Sequence, residues 1–118
     1  MIKFKIIWSS LLVGSCLFAN SAQTILDDNG CLACHAIASK KMAPAFAGIG
    51  KRNKRFEGAN AKTVIMNSIK NGSKGKYRHF ANSSMPKFPN LSQKELSTVA
   101  NFILSQSSKA KQCGMSKR

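Results

Sequence analysis

The residues with the densest chemical potential are Cys31-Leu32-Ala33-Cys34-His35. Two thiols two residues apart on a helical turn can each add to one vinyl group of the same porphyrin. The adjacent histidine is then placed under the ring, where an imidazole nitrogen can bind iron. This spacing is the attachment signature of c-type haem. The second imidazole nitrogen of such a ligand commonly donates to a carbonyl, which fixes the tautomer. Other readings were weighed against it. A thioredoxin-like Cys-x-x-Cys sits in a βαβ context, and no strand-rich sequence surrounds this one. A structural zinc site takes four ligands; here there are three, with His79 and Cys113 in reserve. One covalently attached haem c with its iron is the expectation.

A haem iron has two axial positions, so His35 needs a counterpart. Met42 follows it by seven residues, which leaves little chain to reach the other side of a ring. Met66 belongs to an apolar helical stretch and reads as core, and Met115 sits in a lysine-rich tail. Met85 lies in the loop Ser83-Ser84-Met85-Pro86-Lys87-Phe88-Pro89, which two prolines stiffen and which is long enough to cross to the distal side. Met85 is the expected sixth ligand, with a bis-histidine site through His79 as the alternative. The metal ligands are therefore His35 and Met85.

The elements that position these residues read as helical. Thr24 to His35 is expected to form a short helix running into the haem motif, with Asp27 and Asp28 in its first turns, where the dipole favours acids. Residues 36–55 look irregular, and their small residues suit close approach of backbone to a flat cofactor. Asn60 is expected to cap a helix over Ala61–Lys70, with Val64, Ile65, Ser68 and Ile69 at helical spacing and Gly72 past its end. Ser92-Gln93-Lys94-Glu95 is a capping box. Leu96, Val99, Ala100, Ile103 and Leu104 then line one face of the last helix. No segment alternates like a strand, so the fold class is all-α.

Composition sets the compartment and the kind of partner. Met1–Lys5 carries two lysines, and a 13-residue apolar run, Ile6–Phe18, follows. That run is short of the ~20 residues needed to span a bilayer and fits a signal peptide over residues 1–21, cleaved after Ser21. Val13-Gly14-Ser15-Cys16 also resembles a lipoprotein box, in which a lipidated Cys16 would give membrane attachment. Either route exports the chain, and the periplasm is the expected compartment. Residues 22–106 form one small domain, and residues 107–118 read as a flexible basic tail. Lys3 and Lys5 leave with the signal, so 17 basic residues stand against four acids, a net charge of +13. Such a charge points to acidic partners. Nucleic acid is not the reading: the aromatics show no stacking pattern and the chain is exported. Cys113 reads as an unpaired tail residue.

These parts, in this order, resemble the short bacterial class I monohaem cytochromes c. The likeness runs from about Asn29 to Gln106 and rests on Gly30–His35, Ala43-Pro44-Ala45-Phe46, Ile69-Lys70-Asn71-Gly72-Ser73-Lys74-Gly75, Met85-Pro86 and the capped last helix. It implies three to four helices around the haem, with the first and last crossing. By the same resemblance Cys31 and Cys34 form the thioethers, His35 and Met85 are axial, and the Pro44 carbonyl accepts from the second nitrogen of His35. Asn90 would donate to the Met85 sulfur, although Lys87-Phe88 lengthens that spacing. Relatives carry a tryptophan near the propionates; Tyr77 stands there, with Arg78 beside it.

With both axial positions filled, the expected function is electron transfer between respiratory partners, without bond chemistry and without enzymatic activity. Lys40, Lys41, Lys51, Arg52, Lys54, Arg55, Lys74, Lys76, Arg78 and Lys87 flank the haem-contacting segments. They are expected to contribute to a basic rim that steers a monomeric carrier towards an acidic reductase, oxidase or membrane cytochrome complex. The alternative is a haem c subunit docked permanently in an oxidoreductase complex.

Overall fold

Residues 16–109 are described by the computed structural model, and the expected signal segment before Cys16, together with Cys113 and Met115, lies outside them. Five helices follow in chain order: α1 (Cys16–Asp28), the single turn α2 (Cys31–Cys34), α3 (Phe46–Glu57), α4 (Ala61–Asn71) and α5 (Gln93–Ser105). Two short strands, β1 (Ser73–Lys74) and β2 (Ser84–Met85), pair antiparallel with Ser73 opposite Met85. The all-α architecture is therefore as expected, with one small β bridge that no alternation in the sequence announces. No helix among the described residues is long and apolar enough to cross a membrane.

α5 is the central element and packs against α1, α3 and α4. Its start follows the capping box: the Ser92 hydroxyl accepts from the Glu95 N–H at 3.1 Å. Its buried face is Leu96, Val99, Ala100 and Ile103, with Leu104 half-buried. These residues meet Leu26 of α1, Phe46 and Ile49 of α3, and Ile65, Met66 and Ile69 of α4 in one core. Met66 is thus a core residue, as its helical setting implied. Ala22 and Leu26 of α1, both on the mature side of the expected cleavage point, are buried.

Four local expectations are corrected. The helix expected over Thr24–His35 is two pieces, broken at Asn29-Gly30, where Gly30 takes a φ of 66°. Asp27 and Asp28 consequently close α1 instead of opening a helix, and the dipole does not favour them; Asp27 accepts from Gln23 Nε2 at 2.9 Å. Residues 36–55 are not irregular throughout, because α3 begins at Phe46. Its buried residues are Phe46, Ala47, Ile49, Gly50 and Asn53. Glycine and asparagine are two of those five, so hydrophobicity alone does not reveal the buried face. Asn60 does not cap α4 with its side chain; a 3₁₀ turn over Gly58–Asn60 feeds the helix through a bond from Ala61 N–H to Gly58 carbonyl.

Ser107 and Ser108, expected to open a flexible tail, lie instead in a turn. Gln106–Ser108 forms a 3₁₀ turn, Gln106 is buried, and Lys54 Nζ donates to Ser107 Oγ at 2.7 Å. α3 approaches α5 closely at Gly50, where an added Cβ would lie 2.6 Å from the Ile103 carbonyl oxygen. Gly48, two residues earlier, has nothing within 4 Å of such a Cβ. Gly50→Ala should therefore cost about 1–3 kcal/mol through overpacking. Gly48→Ala should stabilise by about 0.5–1 kcal/mol, because it removes a glycine from a helix without a clash. Denaturant unfolding of the two variants reads the contrast.

Candidate functional site

A cleft of ≈ 370 Å³ opens between α2, the 42–44 segment, the buried faces of α3, α4 and α5, and the 73–88 loop. Cys31, Cys34, His35, Met85 and Pro44 all line it. The structure thus brings these five sequence-predicted residues to one cleft. The single turn of α2 presents Cys31 half-buried and Cys34 exposed. Burial pushes the Cys31 thiol up, against a smaller opposing backbone hydrogen bond.

His35 follows the turn in extended conformation (φ −103°, ψ 148°) and is only 8% exposed. Its Nδ1 lies 2.7 Å from the Pro44 carbonyl oxygen. A carbonyl can only accept, so Nδ1 carries the proton and donates, and Nε2 is the nitrogen left for a metal. Burial lowers the His35 pKa and the Pro44 bond partly offsets this; the ring is kept neutral, as a ligand requires. Phe46 stacks on the imidazole with centroids 5.1 Å apart and planes 20° apart, and Phe102 meets Phe46 edge-on at 6.2 Å.

The backbone explains why the ring sits where it does. The Phe46 and Ala47 N–H groups, which a helix start leaves unpaired, donate to the Ala36 and Ile37 carbonyls at 2.9 and 2.8 Å. Ala43 N–H donates to the Cys34 carbonyl at 3.1 Å. The segment after His35 is therefore tied to the front of α3, and Pro44 is brought back over the imidazole.

The 84–86 segment also lines the cleft. Met85 is half-buried there in β2, paired with Ser73. Gly72, at φ 77°, ends α4 and turns the chain into β1; a Cβ at this position would lie 2.8 Å from the Met85 carbonyl oxygen. Met42 also reaches the cleft but is 72% exposed. His79, the alternative ligand, is exposed and lines a neighbouring cleft instead. Asn90 is exposed and does not line the site, so the expected donation to the Met85 sulfur finds no support.

The remaining walls are mostly apolar: Ile49, Ile65, Ile69, Phe88 and Ile103. Ser68, Lys76 and Tyr77 make them polar in one region. Two thiols, an imidazole with one nitrogen free, a thioether and an apolar slot with a polar margin fit a covalently tethered, largely apolar iron macrocycle. Sequence reasoning gave no role to Phe46 or to Asn53. Asn53 is fully buried, donates to the Ile49 carbonyl at 2.8 Å and to Tyr77 Oη at 3.2 Å, and leaves its own Oδ1 without a partner. It sits within Lys51-Arg52-Asn53-Lys54-Arg55, a run that reads as solvated surface. Phe46 had a signal in Pro44-Ala45-Phe46, an aromatic directly after the proline.

Comparison with known proteins agrees with this geometry. Residues 19–107 match the cytochrome c family. The chain is 35% identical to cytochrome c-551 of Pseudomonas aeruginosa, covering 82% of this chain and 92% of that protein. It is 32% identical to cytochrome c-552 of Hydrogenobacter thermophilus, covering 75% and 82% respectively. Among solved structures it resembles Nitrosomonas europaea cytochrome c552, with a TM-score of 0.61 and 27% identity over 71% of this chain and 98% of that one. A class 1 cytochrome from Sideroxydans lithotrophicus ES-1 shares the fold, with a TM-score of 0.60 at 18% identity, covering 75% of this chain and 96% of that one.

Gly72 is the residue through which α4 controls the placement of Met85. Gly72→Ala should cost about 1–3 kcal/mol, since it combines a positive φ with a clash against the Met85 carbonyl. Denaturant unfolding measures the loss, and it should exceed that of Gly75→Ala, where the nearest atom to a Cβ is 3.5 Å away.

Proposed function

The chain belongs to the cytochrome c family of electron-transfer haem proteins and carries covalently bound haem c with iron; from that premise we propose that it is an exported one-electron carrier with a closed His/Met site. Cys31 and Cys34 would tether the macrocycle through its two vinyl groups. His35 through Nε2 and Met85 through its sulfur would hold the iron. The observation that carries this reading is the 2.7 Å bond from His35 Nδ1 to the Pro44 carbonyl, in a cleft that both thiols and Met85 line. Bound haem c supplies the Fe(III)/Fe(II) couple, and His/Met ligation raises its potential.

The protein's own residues do the rest. The Pro44 bond and the Phe46 stack hold the imidazole in one orientation and one tautomer, so its position need not change when the iron changes charge. The isoleucines of α3, α4 and α5 exclude water. With Met85 in place no exchangeable position remains, and the protein acts as a carrier and not as an enzyme.

The partner is an acidic redox protein in the periplasm, reached after removal of residues 1–21. Support for the acidic partner comes from a second cleft of ≈ 400 Å³ lined by Lys40, Arg52, Arg78 and His79 and by no acid. It shares Pro44, Tyr77 and Phe80 with the haem cleft, so a partner bound there is close to the cofactor. Arg52 is held in place over the Tyr77 and Phe56 rings at 5.1 and 5.5 Å. Three of the expected rim residues are engaged elsewhere: Lys41 with the Leu32 carbonyl, Lys54 with Ser107, and Lys76 with Ser68 inside the haem cleft.

The visible and near-infrared spectra test the ligand set. The oxidised protein should be low-spin with a methionine-to-iron charge-transfer band that Met85→Ala removes and Met42→Ala leaves intact. A high-spin wild-type spectrum would refute the closed site. Electron transfer to an acidic partner should slow at least tenfold between ~0.01 and ~0.5 M salt, as the Debye length falls from about 30 Å to only a few. A rate that ignores salt would count against electrostatic steering.

A further inference from the structure

Lys76 is the one side chain of fixed charge among the residues lining the haem cleft, and no aspartate or glutamate lines it. Its Nζ donates to Ser68 Oγ at 3.1 Å. Ser68 has committed its own proton to the Val64 carbonyl at 2.9 Å, so its oxygen meets the ammonium as an acceptor. Burial lowers the Lys76 pKa, the Arg52 charge adds to this, and Glu57 opposes it. A half-buried ammonium with one neutral hydroxyl partner lacks compensation for its lost hydration. Tyr77, next in sequence, lines the same cleft; its oxygen accepts from Asn53 Nδ2 at 3.2 Å, which leaves its O–H free to donate.

Haem c carries two propionate carboxylates, the anionic groups of an otherwise apolar ring. We propose that Lys76, seated on Ser68 in the cleft wall, is the counter-ion of a haem propionate and through that pair raises the potential of the iron. The inference rests on the haem assignment above. Arg78, which the sequence placed beside Tyr77 for this role, is exposed and lines the neighbouring cleft. The cation therefore comes from the residue before Tyr77 and not from the one after it.

The charge logic fixes the sign. A propionate left without its ammonium stabilises Fe(III) over Fe(II), so removing Lys76 lowers the potential. Film or solution voltammetry of the holoprotein measures this in Lys76→Gln, Lys76→Arg, Arg78→Gln and Lys74→Gln; Lys74 is an exposed β1 residue that does not line the cleft. Lys76→Gln should shift the Fe(III)/Fe(II) equilibrium about tenfold towards Fe(III), about 59 mV for one electron. Lys76→Arg should restore most of the shift, while Arg78→Gln and Lys74→Gln should each move it less than about threefold. Redox-difference infrared spectra should show a propionate carboxylate band displaced in Lys76→Gln alone. Equal shifts in Lys76→Gln and Lys74→Gln, a larger shift in Arg78→Gln, or an unmoved carboxylate band would each overturn the proposal. Failure of the carrier reading itself would appear in the wild type, as the lack of a reversible one-electron wave.

Discussion

The hydrogen bond from His35 Nδ1 to the Pro44 carbonyl, at 2.7 Å, is the constraint around which the site is built. It exists because the eight residues between its ends fold back on themselves, and α3, which has no side-chain cap at Ala45, holds them there. The first N–H groups of α3 take the Ala36 and Ile37 carbonyls instead. The same contact that completes the helix start therefore places the carbonyl that fixes the histidine. Phe46, the first residue of the helix, then stacks on the imidazole and is braced by Phe102 of α5. Orientation, tautomer and protonation of one ring thus follow from how one helix is begun.

The other side of the cleft is fixed by different means. Met85 has no hydrogen-bonded polar group to direct it, so its position depends on the backbone that carries it. A two-residue β bridge holds that backbone, and the Phe88 N–H donates to the Ile69 carbonyl at the end of α4. Gly72 makes the close passage possible. The imidazole side is specified by side-chain chemistry and the thioether side by main-chain pairing, which suits a soft ligand that tolerates several rotamers.

Legibility in the sequence followed the same division. Cys31, Cys34, His35 and Met85 could be read because their residue types and spacing are tied to the chemistry itself. α5 could be read because a capping box and an unbroken apolar stripe coincide. α3 was not read, although it supplies Phe46 and Ile49, because Gly50 and Asn53 on its buried stripe are chosen for close approach and for a hydrogen bond to Tyr77. Neither reason registers as hydrophobicity. The break at Gly30 does not show in the sequence because the chain is helical on both sides of it, in α1 before and in the haem motif after. Lys76 reads as one more surface cation among many; its bond to Ser68 and its place in the cleft wall distinguish it from Lys74, two residues away.

The core and the site are not separable in this domain. Ile49, Ile65, Ile69 and Ile103 are members of the hydrophobic core and also walls of the haem cleft. A chain of this size buries limited apolar area by itself, and small domains draw on cofactors to supplement it. A macrocycle packed against these isoleucines extends the core, so its contacts stabilise the fold as well as the iron site. That dual role explains the economy of the wall: aliphatic residues where the ring requires only exclusion of water, and a single ammonium where it presents charge. A polar substitution at Ile49 or Ile103 would then damage folding and redox behaviour together, whereas a change confined to Lys76 would separate them, because that residue contributes to the charge of the site and not to the packing of the core.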